Sequence, residues 1–346
     1  MLNPRLQPGG RHTPKLVPCR GTTGRLTNRI AVPNLSFYHT FLHITSTLDD
    51  NAKSGVVLAI DAGGTSFKSA LIEASGGIVP GSFAQYPVCS DGTLEAVLAT
   101  YTELIRHALS RGIVIRGIGV STPGPFDYER GISLMKHKFA CLYGISLKDS
   151  LAKLLPEIAG IPFWFRHDAN SFLAGEMWLG AGQGCKRIAG VTLGTGIGVS
   201  FCADGKFFNN EMGSPAVEVS VWNKPYRDGI VEDFISARAL IAAYQKLNPR
   251  YDSAGGAKGI AEAAKAGNKQ AVRVYEQFGA NLGNVLTPWC QRFNPEKIVF
   301  GGQIAASFDL FAEALRQNLQ PTSGQPDLQA AALGSNAALF GVATEG

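Results

Sequence analysis

What the sequence lacks sets its first limits. No apolar run approaches the roughly 18 residues that a membrane-spanning helix requires, so no membrane role is expected. There is no CxxC pair: Cys19, Cys89, Cys141, Cys185, Cys202 and Cys290 are scattered, which argues against a disulfide framework and against closely spaced zinc ligands. Reduced thiols in a cytoplasm are the expectation, each a small apolar filler. Acidic residues are absent before Asp49, and that absence explains the net charge. Within residues 1–54, Arg5, Arg11, Lys15, Arg20, Arg25, Arg29 and Lys53 face only Asp49 and Asp50, an excess that is the whole of the formal +5. The remainder holds 25 residues of each sign, so no basic face for nucleic acid is demanded of the folded part.

Two common nucleotide signatures are also missing. GxxxxGK followed by Ser or Thr does not occur. Gly194, Gly196 and Gly198 have the wrong spacing for GxGxxG and lead into a strand, while Gly180, Gly182 and Gly184 follow a helical stretch, the reverse of the dinucleotide order.

What is present, 45% hydrophobic and 17% charged residues over 346 positions, describes a globular protein with room for two domains. Residues 1–54 are rich in Pro, Gly, Thr and Arg with weak apolar periodicity, so little stable structure is expected there. Such a leader reads either as an organellar transit peptide or as sequence translated from a start codon placed too early. Pro14, Pro18, Gly21, Gly24 and Pro33 leave no room for the two amphipathic helices of a helix-turn-helix domain.

From residue 56 the pattern is strand, glycine hairpin, strand, in "VVLAIDAGGTSFKSALIE". A helix is expected over residues 94–110, where Leu94, Val97, Leu98, Tyr101, Leu104, Ile105 and Ala108 form one stripe. Strands follow over 117–121 and 161–165, separated by the turn-rich "TPGPFDYERG". Residues 187–208 repeat the strand, hairpin, strand pattern. Helices over 231–244, 257–266 and 269–293 and a strand at "KIVF" complete the repeat. The expected division is a basic segment (1–54), one α/β lobe (55–161), a second (162–330) and a terminal helix (331–346), with ligand in the cleft.

Each glycine hairpin is either a tight turn or a loop whose missing Cβ atoms let N–H groups close on phosphate oxygens. Asp61 favours the second reading for "DAGGT". An ionised carboxylate at the end of a central strand serves no turn, but beside a phosphate it holds Mg²⁺ through water.

Together "DAGGT", "STPGPFD", "HDANSFLAGE", "LGTGIG", "IVFGG" and "LGSNAALFGVA" resemble, in order and spacing, the ROK sugar kinases and repressors of the actin-like ATPase group. The resemblance covers residues 56–343. It implies a two-lobed, ribonuclease H-like α/β fold with duplicated domains, and ATP and Mg²⁺ as cofactors. Asp61, Gly63, Gly64 and Thr65 then form the first phosphate loop and Gly194, Thr195, Gly196 and Gly198 the second. Gly301 and Gly302 lie against the adenosine, and the terminal helix crosses back to the first lobe. Lys68 either reaches a phosphate or is a solvated strand lysine.

Asp168 precedes the helical "ANSFLAGEMW", where an aspartate is a favoured N-cap with about 1 kcal/mol lost on removal. The same position keeps a carboxylate ionised and ready to accept a hydroxyl proton, and the resemblance assigns it the catalytic base. Asn170 supports this turn. Glu211 and Glu232 match two sugar-binding glutamates of the family, and Ser214 is expected beside them among the substrate-binding residues. Zinc-holding members carry a His where this chain has Ser214, and cysteines where it has Asn223, Pro225 and Ile230, so no structural zinc is expected. Packing through Trp222 and Tyr226 then holds that loop. His167 replaces the asparagine expected before the base, and "KHKFACLYG" replaces an Asn-Leu stretch. Either Lys138 or His137 meets the substrate, along with His167, or Lys136 and Lys138 are merely solvated.

The expected activity is transfer of the γ-phosphate of ATP to a hexose or hexose derivative in a cytoplasmic protein, with a homodimer expected because dimers are frequent among the proteins it resembles. A sugar-responsive transcription regulator is the alternative, and it needs a DNA-binding domain that residues 1–54 do not supply. A shape-changing actin-like or chaperone ATPase is disfavoured by the "STPGPFD" and paired-glutamate contexts.

Overall fold

The computed structural model describes residues 55–136 and 138–344. Two sheets of five strands share one topology. The first holds β1 (Val56–Ala62), β2 (Ser66–Ile72), β3 (Ala84–Pro87), β4 (Ile115–Thr122) and β5 (Phe163–His167), in spatial order β3-β2-β1-β4-β5. The second holds β6 (Arg187–Leu193), β7 (Ile197–Ala203), β8 (Lys206–Phe207), β9 (Lys297–Gly301) and β10 (Asp327–Ala330), in order β8-β7-β6-β9-β10. In each, an antiparallel hairpin is extended on one side by an antiparallel strand and on the other by two parallel ones. This is the duplicated, two-lobed actin-like arrangement.

Side-chain alternation in β1 explains why both of its faces are covered. Val56, Leu58, Ile60 and Ala62 belong to the cluster formed with α1 (Leu94–Leu109) and α2 (Leu147–Leu154), whereas Val57 and Ala59 pack with Leu339 and Val342 of α8 (Ala337–Val342). Thr93 caps α1 by accepting the Ala96 N–H at 3.3 Å, and Val97, Leu104 and Ile105 are completely buried. Each such aliphatic side chain contributes about 1.5–3 kcal/mol relative to exposure. In the second lobe Ala189, Val191 and Leu193 of β6 join the core built on α4 (Ala237–Leu247), α5 (Gly256–Lys265), α6 (Lys269–Phe293) and α7 (Ala312–Asn318).

Two helices stitch the lobes. α3 (Asp168–Leu179) covers the inner face of the second sheet with Phe172 and Leu173, and α8 covers that of the first. They cross at glycines: a Cβ on Gly175 would fall 2.0 Å from the Ala337 carbonyl oxygen, and one on Gly341 1.7 Å from that of Ser171. Backbone on both sides leaves nothing that could give way. Glu176, fully buried, accepts N–H bonds from Ala181 (2.8 Å), Ala332 (3.1 Å) and Leu333 (2.9 Å), which fixes the chain entering α8.

Four expectations shift. The strand expected over 161–165 is β5, paired with β4 from Ile118↔Phe163 to Thr122↔His167, so the first lobe continues to His167 rather than ending at residue 161. The helix expected over 231–244 splits into a 3-10 turn, Val231–Asp233, and α4, because the Ser236 hydroxyl caps α4 by accepting the Ala239 N–H. β10 was not anticipated: only Leu328 of "DLQA" is buried, so this edge strand has no apolar alternation. The terminal helix starts at Ala337, not near 331, since β10 and a turn at Gly334–Asn336 come first. No helix among the described residues is long and apolar enough to cross a membrane.

Candidate active site at the strand ends

β1, β4 and β5 run parallel, so their carboxyl ends share one edge of the sheet, the edge where open α/β sheets take ligands. Asp61 is in register with Ser121, and Thr122 with His167, which sets Asp61 two strands or roughly 10 Å from the start of α3. Burial lifts the Asp61 pKa to about 6. The Lys68 ammonium opposes that rise, the Asp168 carboxylate adds to it, and the Ser121 hydroxyl draws it down a little. Ser121 Oγ is buried beside Asp61 without completing a well-formed hydrogen bond. An anionic oxygen next to a half-satisfied hydroxyl fits a hydrated Mg²⁺ held through its water. Among the described residues no cluster of three His, Cys, Asp or Glu side chains would ligate a metal directly.

The two hairpins present bare backbone at this level. A Cβ on Gly64 or on Gly194 would meet nothing within 4 Å, and Thr65 and Thr195 are exposed at the tips. Gly63 lies closer in, 3.0 Å from the Ser66 carbonyl oxygen by the same measure. The second hairpin rests on the first turn of α3, because a Cβ on Gly198 would lie 3.4 Å from that of Ala169, the residue after Asp168. Glu232 presses on its tip: a Cβ on Gly196 would come 2.1 Å from Glu232 Oε2.

Asp168 opens α3 as its first residue, and His167 is the cap. This corrects the N-cap reading of Asp168. His167 Nδ1 accepts the Ala169 N–H at 3.2 Å, Asp168 Oδ1 accepts the same N–H at 2.8 Å, and the two acceptor atoms are 3.2 Å apart. The Asp168 side chain is 50% exposed and that of His167 only 18%, so the carboxylate reaches solvent while the imidazole is largely enclosed. Burial lowers the His167 pKa, and the Asp168 charge acts against that. Asn170 binds inward, accepting from Ser200 Oγ at 2.6 Å and donating to Asn209 Oδ1 at 2.8 Å.

Asn209 begins a turn that clasps the first lobe. The Tyr128 N–H donates to the Met212 carbonyl at 2.9 Å, and Ser214 Oγ donates to that of Phe126 at 3.4 Å. Tyr128 sets its ring edge against His167, with centroids 5.9 Å apart, and its hydroxyl donates to the Thr122 carbonyl at 3.0 Å. Glu211, next to Met212, is exposed on this turn. Ser214 is therefore engaged in the clasp.

Other expected residues take different places. Lys68 Nζ donates to the Ser335 carbonyl at 3.0 Å, tying the first hairpin to the segment before α8. Gly301 is interior, where a Cβ would strike the Phe172 ring at 2.2 Å, so only the exposed Gly302 lies at the rim. Gly302, at φ +87°, sits against Leu193. Lys136 lies over the Tyr143 ring at 4.8 Å, Lys138 is half-buried, and His137 falls outside the described residues. Tyr226 packs on Phe234 and donates to Asn281 Oδ1, but Trp222 is 47% exposed and does not anchor its loop. A cavity of about 540 Å³ lies elsewhere, at the amino end of β1, lined by Glu73, Arg116, Trp178 and Phe207 among others. The residues not foreseen are Ser121, Tyr128 and Asn209; the first two flank "TPGPFD", where an apolar run ending in Ser-Thr was the available signal.

The sequence pattern of the ROK family matches residues 57–344. The chain belongs to the ROK family. It is 29% identical over 282 residues to a glucokinase of Thermotoga maritima, a match covering 76% of this chain and 86% of that one. It is 24% identical over 302 residues to a xylose repressor of Caldicellulosiruptor bescii, covering 80% and 73% respectively. Its fold matches the crystal structure of a ROK family glucokinase from Streptomyces griseus in complex with glucose and AMPPNP. That match has a TM-score of 0.68 at 24% identity and covers 84% of this chain and 98% of that one.

Proposed function

We propose that this ROK protein is an ATP-dependent sugar kinase with Asp168 as general base. The carrying observation is the placement of a half-exposed carboxylate at the helix start that the second glycine hairpin touches, level with Asp61 on the same sheet edge. In this reading the hairpin amides of Gly64 and Gly194–Gly196 face the triphosphate, and Gly302 borders the nucleotide. The sugar lies between Asp168 and the turn bearing Glu211. Glu211, Glu232 and Lys138 serve its hydroxyls. Asp168 takes the proton from the attacking hydroxyl as its oxygen bonds to the γ-phosphorus. Asp61, with Ser121 beside it, would hold Mg²⁺ through water, and that ion offsets charge on the phosphates when bound. The clasp between Tyr128 and Met212 keeps the lobes together around the acceptor and limits access of water.

The match to xylose repressors favours a second reading, a sugar-responsive regulator without phosphoryl transfer. A coupled ADP-release assay across hexoses, acetamido sugars and less common sugars separates the two. The kinase reading expects sugar-dependent ADP release that Asp168→Asn lowers by about 10²–10⁴ while nucleotide binding is kept. An unchanged rate in the variant removes Asp168 from the chemistry. Sugar binding with no ADP release for any sugar favours the regulator.

A further inference from the structure

We propose that His167 is a positioning residue acting through Asp168: it holds the carboxylate and takes on the proton that Asp168 removes from the acceptor hydroxyl. The proposal rests on the kinase reading. Its basis is the geometry of three atoms. Nδ1 of His167 and Oδ1 of Asp168 both accept from the single Ala169 N–H, and they stand 3.2 Å apart. Because Nδ1 accepts, the neutral ring carries its proton on Nε2. Two lone pairs then oppose each other across a hydrogen-bond distance with one shared donor. A proton arriving on either atom turns that opposition into a charge-assisted hydrogen bond.

The surroundings assign the direction. Asp168 is the more exposed partner, the one that meets the acceptor in the kinase reading, and His167 is largely enclosed. The ring is held in place by the edge contact with Tyr128. Burial lowers the His167 pKa and so keeps the ring neutral and able to accept at Nδ1, while the adjacent Asp168 carboxylate favours the ring once it carries the proton. Few other charges bear on the pair. Tyr128 stays neutral because burial raises its pKa, and from β1 the Asp61 carboxylate faces Asp168 with Lys68 opposite it. Arg166, the neighbour along β5, points to the other face of the sheet, where it donates to the Gly341 carbonyl and to Thr344 Oγ1.

The step balances. The acceptor oxygen bonds to the γ-phosphorus and the bond from phosphorus to the β,γ-bridging oxygen breaks, its electron pair staying with ADP. The hydroxyl proton passes to Asp168 and then to Nδ1, and returns to solvent once the product leaves. Transfer requires a neutral imidazole at the outset, so activity falls as pH drops through the His167 titration.

The test compares wild type with His167→Asn and His167→Gln. Asparagine is a favoured helix cap, so α3 keeps its start while the proton acceptor is lost. Expected in His167→Asn are a drop of about tenfold in kcat at pH 8 and an acid limb of kcat/KM displaced downward by about one pH unit or more, with little change in melting temperature. An unmoved acid limb overturns the proposal. A second measurement needs no turnover: nitrogen-15 spectra of the imidazoles in the full-length protein. These should show His167 as the Nε2–H tautomer near neutral pH, with its titration moved down by about one unit in Asp168→Asn, where the stabilising anion is gone. Identical titration in the two proteins overturns the pairing even if the kinase is active. Intact coupling without ADP release from any sugar sinks the kinase reading and the transfer step with it, leaving the pair a helix cap.

Discussion

The two glycine hairpins share a backbone plan and differ in what stands beside them. On the rung below the first tip, Asp61 pairs with Lys68; on the matching rung of the second, Thr192 pairs with Gly198. The first hairpin therefore carries its own charges into a poorly solvated place. The second is neutral and is fitted by contact: Gly198 against Ala169, Gly302 against Leu193, and a carboxylate brought to its tip by Glu232 from a separate turn. One duplicated unit has been specialised by electrostatics and the other by close packing. Changes of charge should be felt in the first lobe and changes of volume in the second.

The largest effect is expected from volume. Gly302 has a φ of +87° that a side chain disfavours, and a Cβ there would lie 2.3 Å from the Leu193 carbonyl oxygen, which is backbone and cannot step aside. Gly302→Ala should lower unfolding free energy by about 2–4 kcal/mol in urea titration. Gly64→Ala is its counterpart in the first lobe. Open space surrounds Gly64, so stability should change by no more than about 0.5 kcal/mol, while nucleotide affinity falls if the hairpin amides approach phosphate. Equal destabilisation by both substitutions would erase the distinction between the lobes.

Charge gives the next effect. The Asp61 pKa rises from 3.8 to about 6 on folding, so the folded state prefers the neutral carboxyl. The stability tied to it is complete below about 4 and is lost as pH rises through about 6. Asp61→Asn should consequently stabilise the metal-free protein at pH 7.5 by on the order of 2 kcal/mol, with the gain fading through pH 6 and absent near pH 4. Thr192→Val, on the matching rung, should show no such pH dependence. Melting curves over that range decide the matter, and a gain that does not vary with pH would mean that Asp61 is not strained by burial.

The same division explains how much of the molecule was legible in the sequence. Strands buried on both faces and long amphipathic helices announce themselves by period, so β1, α1 and α6 read directly. β10 did not, because only Leu328 of its four residues is buried and its pairing with β9 is a matter of tertiary register. Asp61 was conspicuous as an acid closing an apolar run, and Asp168 as an acid between the strand "IPFWF" and a helical stretch. The shared use of the Ala169 N–H by His167 and Asp168 was not, as it depends on the angle at which the chain leaves β5. Nor were the roles of Gly301 and Lys68, whose partners, Phe172 and Ser335, are distant in sequence. Residue type proposes chemistry, and the contact partner decides whether a side chain serves the ligand or the fold.

Lys68 makes that choice testable at the smallest scale. Its ammonium is 3.0 Å from the Ser335 carbonyl and also opposes the rise in the Asp61 pKa, so it serves both the segment before α8 and the charge of the first hairpin. Lys68→Met should cost about 1 kcal/mol at neutral pH, from one partly exposed hydrogen bond and a less well compensated carboxylate. Part of that loss should vanish below about pH 4, where Asp61 is neutral in both states, whereas the share from Ser335 should persist. Lys68→Arg keeps the charge and should recover most of the stability. Had the ammonium faced a phosphate instead, Lys68→Met would leave the melting temperature unchanged and weaken nucleotide binding about tenfold or more. Calorimetric titration with a non-hydrolysable ATP analogue, run beside the melting curves, distinguishes a hairpin charge that holds the fold from one that holds the ligand.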